Sequence, residues 1–253
     1  MGEGKSLMNN LKLEWYDAVT DSFPGFSAKM EELLPNAWPL LDEFAVAFVE
    51  TLYMLLLTIL IAGVIGLILG IIMTLTGSNG LLPHRGFYKV VDTLINIFRS
   101  IPFIILLALL VNFTRFVAGT SIGVTAASIP IIVGTIPFFA RQVEIALLEV
   151  DPGVIEAAEA MGSSPLDIII RVYLREGLPA LLRVSASTVI NVIGLTAMAG
   201  VVGGGGLGSV AIARGYQRSR MDVIMVATIL ILLIVFVSQA TFNLLIKMTD
   251  HKR

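Results

Sequence analysis

The chain has 253 residues, of which 56% are hydrophobic and 14% charged, and its formal net charge is −2. A soluble domain carries about a quarter charged residues, so this composition predicts an integral membrane protein. The small negative charge argues against a nucleic-acid partner, and the absence of cysteine excludes disulfides, thiolate chemistry and iron–sulfur sites. The first forty residues hold no short apolar run followed by a small-residue cleavage site, so we expect no removable signal peptide.

Residues 1–43 form a polar, acid-rich extension. Acidic residues outnumber lysines in it, and aromatic residues such as Trp15, Phe23 and Trp38 lie between them. Aromatic residues mixed with charges are typical of a membrane surface. A solvated extension is an equally good interpretation, so both remain open for this segment.

Long runs with few charges follow, each long enough for the ~20 residues that a spanning helix needs. They predict one all-α membrane domain, residues 44–250, with five spans near 44–74, 93–115, 122–146, 180–202 and 222–246. On the first span, Gly63, Gly66 and Gly70 predict a strip where a second helix packs closely.

Prolines lie inside two of these spans. Pro130 and Pro137 belong to the third, and Pro102 to the second. Because proline lacks an N–H and clashes with the preceding turn, we expect the third span to be kinked or broken. Pro102 is a further candidate for a kink or break, in the second span.

A polar insert, residues 150–179, separates the third and fourth spans. Asp151 is placed to cap a first short helix, and Gly162 suits the left-handed residue that ends one. Ser164 is placed to cap a second helix opened by Pro165, with Asp167 completing a capping-box-like pattern. The sequence therefore predicts two capped helices in a loop between spans.

Apolar residues recur at helical spacing on both short helices. They are Val154, Ile155, Ala158 and Met161 on the first, and Leu166, Ile169, Ile170 and Tyr173 on the second. Two interpretations remain open. The insert is a hairpin that only ties two spans together, or it grips another protein in water.

The distribution of basic residues predicts the orientation. Five spans place the termini on opposite sides of the membrane, and the side of the insert carries the larger share of arginine and lysine. The arginines at 214–220 lie on the other side and weaken this bias without reversing it. The positive-inside rule therefore places the insert and the C-terminus in the cytoplasm and the N-terminus outside.

The sequence offers little for catalysis. The two histidines, His84 and His251, lie in a loop and in the tail, and neither belongs to a zinc-binding pattern. No histidine lies within a span to activate a serine, and no phosphate-binding G-x-x-x-x-G-K-[ST] loop occurs. The glycine run 203–206 lacks the lysine of such a loop, and we interpret it as a flexible re-entrant or span-ending segment. We therefore predict a non-enzymatic chain without a cofactor or metal of its own.

Polar residues within the spans are the candidates for function. Those that stand out are Glu50, Asn96, Arg99, Arg141, Glu144 and Asn191. The charged members lie near predicted span ends, where they can snorkel or pair. Asn191, Thr196 and Met198 lie deeper, on a helix rich in small residues, and predict a substrate path. Ordinary packing is the alternative for Met198.

The insert resembles the EAA loop of the membrane subunits of ABC importers. Glu156, Ala157 and Ala158 match E-A-A, and Gly162 matches the glycine four residues after the last alanine. The motif ends in I-x-L-P, whereas this chain has Arg175 at the proline position. The resemblance implies that Glu156, Ala157, Ala158, Gly162, Ser164 and Pro165 couple the chain to an ATPase.

Four further motifs resemble the methionine-uptake permeases of that superfamily. They are N-I-F-R-S-I-P-F-I-I-L-L from 96, G-T-S-I-G from 119, P-F-F-A-R from 137 and A-M-A-G-V-V-G-G-G-G-L-G from 197. The resemblance covers about residues 44–250. It implies a type I importer permease of the bacterial plasma (inner) membrane. Such a permease works as a homodimer with two ATPase subunits, which bind the ATP and Mg²⁺.

The same resemblance implies an external methionine-binding lipoprotein as a partner, contacted through Arg214, Tyr216, Gln217 and Arg218. Methionine in its L- and D-forms is the expected substrate, with lipid around the spans. Three alternatives remain: a permease of this superfamily for another solute, an intramembrane hydrolase, and a sensor that does not transport. The missing base and metal ligands count against the hydrolase, and a sensor has no use for the EAA insert.

Overall fold

The structure, a computed structural model, describes residues 24–249, and every regular element in this range is helical. Residues 1–23 and 250–253 lie outside the described range, as does most of the extension expected at the N-terminus. The helices are α1 Pro24–Leu33, α2 Leu41–Thr76, α3 Arg85–Ser100, α4 Phe103–Leu109, α5 Val111–Ala118, α6 Val124–Leu147, α7 Pro152–Ala160, α8 Pro165–Ile168, α9 Leu174–Glu176, α10 Leu178–Val201, α11 Gly206–Val210 and α12 Met221–Thr249.

Four of these helices are long and apolar enough to cross a membrane: α2 with its preceding turn, α6, α10 and α12. A fifth crossing exists if α3 and α4, which meet at an angle of 102°, count as one span. The expected single helix at 93–115 is therefore interrupted. Ile101 is extended, with φ −77° and ψ 121°, because a residue before proline is driven out of the helical region.

The third span is not broken at its prolines. Helix α6 runs through Pro130 and Pro137 without a break, and both prolines are buried. Membrane helices tolerate interior prolines when neighbouring groups satisfy the freed backbone carbonyls. The interruption thus falls at Pro102, where the chain bends into the short helices α4 and α5.

Helices α2 and α6 pack closely through glycine. A Cβ on Gly70 would lie 2.5 Å from the Cβ of Val143 and 2.7 Å from the carbonyl oxygen of Ala140, and Gly66 meets Phe139 in the same way at 2.9 Å. Gly63 faces open space, so it does not belong to the predicted close-packing strip. Only a residue without a side chain lets the two backbones approach this far.

The core lies where α2, α6, α10, α11 and α12 meet. Met54, Ile131, Val192, Leu207 and Val223 are fully buried there. The bundle has two ends. We call the one that carries residues 36–43, the glycine run and the start of α12 the glycine end, and the one that carries the insert the loop end.

The glycine run closes the glycine end tightly. Gly205 and Gly206 have positive φ, and the backbone N–H of Gly206 donates to a Glu50 carboxylate oxygen at 2.7 Å. The N–H of Leu207 donates to the Thr51 hydroxyl at 2.9 Å. A Cβ on Gly208 would lie 2.3 Å from the carbonyl oxygen of Ala197, so α11 folds back against α10. The glycine run, which the sequence predicts to be a flexible re-entrant or span-ending segment, is thus bonded to α2.

A polar clasp holds residues 36–43 at the same end. The Asp222 carboxylate accepts the backbone N–H groups of Asn36 at 2.7 Å and of Ala37 at 3.0 Å. Glu43 and Arg214 form a bidentate ion pair at 2.8 and 2.9 Å. The chain before the first span is therefore fastened to the start of the last one.

Candidate functional site

The first helix of the insert, α7, is capped at both ends, by a side chain at its N-terminus and by backbone hydrogen bonds at its C-terminus. Asp151 accepts the N–H of Gly153 at 2.8 Å, as the sequence predicts for an N-cap. At the other end Gly162 has φ +78°. Its N–H donates to the Glu159 carbonyl oxygen at 2.9 Å, and the N–H of Ser163 donates to the Ala158 carbonyl oxygen at 3.1 Å. These two bonds make a Schellman motif, which satisfies the last carbonyls of a helix.

The second helix, α8, begins at a reciprocal pair of side chains. Ser164 accepts the N–H of Asp167 at 3.2 Å and donates its own hydroxyl to the Asp167 carboxylate at 2.6 Å. In a full capping box the acidic side chain would instead accept the backbone N–H of the cap residue. After Ile168 the chain forms a π-helical turn, Ile169–Tyr173, before α9.

That π turn divides the apolar face expected on the second helix. Tyr173 and Ile168 are buried with Ala158 against Leu147 and Leu181, which fastens the insert to the bundle. Burial raises the pKa of the Tyr173 phenol above its usual value, and the nearby Glu159 carboxylate adds to the effect.

Four large apolar side chains of the insert point away from the bundle. Met161 is 80% exposed and Leu166 70%, with Ile170 and Val154 also exposed. We call these four residues the apolar knob. Glu156 and Ala157 are exposed beside it on α7. An apolar surface of this kind outside the spans is typical of a protein interaction site.

A second exposed surface lies on α10. Asn191, Gly194, Met198 and Val201 recur at helical spacing and are all exposed, so they share one face, which we call the α10 face. Thr196 does not belong to it. Its side chain is 2% exposed and donates to the Ile193 carbonyl at 2.7 Å inside the core.

The residues expected to contact a binding protein lie together at the glycine end. Arg214 is engaged by Glu43 in the clasp. Tyr216, Gln217 and Arg218 are exposed on the turn that follows, and Tyr216 is 72% exposed. The structure thus leaves three of the four side chains free to meet a partner.

A charged network at the loop end is only partly visible in the sequence. Arg141 pairs with Glu144 at 2.5 Å and also with Asp92, and Tyr88 donates to Glu144 at 2.8 Å. Arg141 and Glu144 are expected near a span end, paired or snorkelling, and they pair. The sequence does not reveal the partners on α3, since they depend on how α3 folds against α6. Within residues 24–249 no three His, Asp or Glu side chains form a group able to hold a metal ion.

The bundle, its tightly packed glycine end and the capped helical insert define a class. The molecule is an all-helical membrane permease subunit with the fold of the type I ABC importers. Residues 66–252 match the family model described as the binding-protein-dependent transport system inner membrane component. The chain belongs to this family, and it is a transport subunit, not an enzyme.

Similar proteins narrow the class. The chain is 44% identical over 220 residues to the "Probable D-methionine transport system permease protein MetI" of Pasteurella multocida, covering 87% of this chain and all of that one. It is 46% identical over 181 residues to the "Methionine import system permease protein MetP" of Bacillus subtilis, covering 72% of this chain and 82% of the relative. A solved chain of the inward-facing MetNI methionine ABC transporter superposes with a TM-score of 0.82 at 38% identity, covering 84% of this chain and 99% of that chain.

Proposed function

We propose that the chain is the permease subunit of an ATP-driven methionine importer. Two copies form the path, two separate ATPase subunits bind ATP and Mg²⁺, and an external binding protein delivers methionine. The observation that carries the proposal is the similarity to methionine permeases over almost the whole of their length. The substrate is assigned by that likeness, and the geometry of the insert and of α10 supports the roles of the parts.

The apolar knob is the docking surface for the ATPase in this proposal. Its side chains are exposed on a loop that the bundle holds firmly through Ala158, Ile168 and Tyr173. Closed helix ends make the insert rigid, so a movement of the ATPase reaches the spans without being absorbed. Glu156, Ala157, Gly162, Ser164 and Pro165 act by giving the loop this shape and its polar margin.

The α10 face lies along the substrate path in this proposal, where two copies meet. Gly194 and Asn191 are small or uncharged, so the α10 face itself places no fixed charge against a zwitterionic solute. Met198, 44% exposed, offers a polarisable and adaptable surface to an apolar side chain. Thr196 supports the helix from within the core.

The glycine end faces the binding protein and the loop end faces the cytoplasm in this proposal. The bias of basic residues toward the loop end supports this orientation. Tyr216, Gln217 and Arg218 then form the docking surface outside the cell. The protein spans the inner membrane, with its N-terminus outside the cytoplasm and its C-terminus in it.

Reconstitution tests the whole proposal. The chain is produced with an ATPase and a methionine-binding protein of the same transport family from the same genome, and placed in liposomes. We expect ATP-dependent uptake of L- and D-methionine that an excess of other amino acids does not abolish. Uptake of a different solute in preference to methionine would refute the substrate.

A paired variant tests the knob. Met161→Asp with Leu166→Asp should remove the ATPase from the purified complex, because it places two charges on the apolar contact. Ser78→Asp, at an exposed turn of the loop end outside the knob, is the matched control. If the variant with both knob substitutions recovers as much ATPase as the Ser78→Asp control, the ATPase docks elsewhere.

A further inference from the structure

A cavity of about 270 Å³ lies where the chain bends between α3 and α4. Its polar lining residues are Arg99 and Asn191, and three phenylalanines surround them. The aromatic members are Phe98, Phe103 and Phe138. The size is close to the lower end of small-molecule sites, about 300 Å³, and therefore suits a solute as small as one amino acid.

The cavity lies about halfway along the long helices α6 and α10. Gly134 and Asn191, which both line it, are near the middle of the 24-residue helices α6 and α10. Asn191 also belongs to the exposed α10 face, so the cavity opens onto the surface assigned to the substrate path. Arg99 reaches this depth because α3 runs inward along α6, from the Tyr88–Glu144 contact to the bend at Pro102.

Arg99 lines this cavity with an exposed side chain. It makes no hydrogen bond or ion pair with any residue in the range 24–249. A charged side chain at membrane depth is costly, and such residues usually pair or line a functional path. An exposed arginine that lines this cavity and has no partner among the described residues is therefore available to a ligand that brings a negative charge.

A second copy of the chain is poorly equipped to supply that charge. Beyond the first turn of α2, the carboxylates on α2, α3 and α6 are Glu50, Asp92 and Glu144. Asp92 and Glu144 pair with Arg141, and Glu50 accepts the Gly206 N–H. Each is engaged within its own copy, so the partner of Arg99 is better sought in the solute.

We propose that this cavity is a binding site for the zwitterionic substrate within the membrane, with the Arg99 guanidinium holding its carboxylate. The proposal rests on the transport of methionine proposed above and adds a site to it. A guanidinium matches a carboxylate through two parallel N–H···O bonds. The Asn191 amide oxygen accepts from the ammonium group, and the phenyl rings contact the thioether, which favours aromatic neighbours.

Protection of an introduced cysteine tests the site. The native chain has no cysteine, so Leu195→Cys, in the cavity lining, is the only thiol of this subunit. In the purified complex with its ATPase, L-methionine should slow maleimide labelling of this residue. Methioninamide, which keeps the thioether and ammonium but lacks the carboxylate, should protect at least tenfold less well. Ser185→Cys, in a separate apolar cavity, is the control that methionine leaves unprotected.

Substitution of Arg99 completes the test. In the Leu195→Cys background, Arg99→Gln should raise the methionine concentration for half-protection at least tenfold, and Arg99→Lys should raise it less. Equal protection by methionine and methioninamide, or no protection at all, would overturn the site. Normal methionine uptake in that case would leave the proposed function standing, whereas absent uptake by the wild-type complex would refute the function itself.

Discussion

At the scale of single residues, the ends of the short helices follow from local chemistry. Asp151, Gly162 and Ser164 do what their types and positions predict, because a cap depends on fewer than ten neighbouring residues. Thr196 shows the limit of that reasoning. Polarity alone groups Thr196 with Asn191. It lies five residues further along the helix, however, so its side chain is rotated by about 140° around the helix axis from that face.

The left-handed conformation of Gly162 leads to a prediction. Nothing lies within 4 Å of the position that a Cβ would take at this residue, so a substitution strains the backbone without clashing. Gly162→Val and Gly162→Ile should weaken the Schellman motif by ~1 kcal/mol or more and reduce co-purification of the ATPase. Gly162→Asn is the control, since asparagine tolerates positive φ. Full ATPase recovery with all three variants would contradict the role of this turn.

Met198 is the residue that tests the α10 face. If it borders the path, Met198→Trp should block methionine uptake at normal expression, because the added volume fills the space between two copies. Met198→Leu, which nearly conserves volume, should transport at close to the wild-type rate. Uptake per transporter, measured in liposomes, decides the matter. Wild-type uptake by well-folded Met198→Trp would remove this residue from the path.

At the scale of elements, the sequence places the long spans to within a few residues because apolar length alone marks them. It does not decide which proline breaks a helix. Pro102 ends α3, whereas Pro130 and Pro137 lie buried inside α6. The difference arises from the surroundings, since tertiary packing decides whether freed carbonyls find donors. The cavity at the bend is hidden from sequence reasoning for the same reason.

The contact between α2 and α6 gives a matched pair of variants. Gly70→Ala should lower the thermal stability of the purified subunit, because its Cβ would meet backbone and Val143 at under 3 Å. Gly63→Ala, on the same helix and facing open space, should not lower the melting temperature, because alanine favours a helix more than glycine does. Both are measured by a fluorescence melt in detergent. If Gly70→Ala melts at the same temperature as Gly63→Ala, the close contact of α2 with α6 at Gly70 does not limit stability.

At the scale of the whole molecule, orientation is the property that neither packing nor similarity fixes, and the cysteine-free chain makes it easy to measure. Tyr216→Cys at the glycine end and Ser6→Cys, outside the described residues, should react with an impermeant maleimide in intact cells. Ser78→Cys and Ser163→Cys at the loop end should react only after lysis. The reverse pattern would invert the proposed topology.

The clasp at the glycine end also has a consequence for how the chain is made. Asn36 and its partner Asp222 are 186 residues apart. Synthesis proceeds at about 5–20 residues per second, so Asn36 leaves the ribosome on the order of ten seconds before its partner exists. Until then Asn36 and Ala37 lack the carboxylate that holds them, although Glu43 of α2 has its own partner, Arg214, eight residues earlier in the chain. Assembly therefore concludes with the last helix, and a nascent chain interrupted before Asp222 exposes an unclasped edge to quality-control proteases.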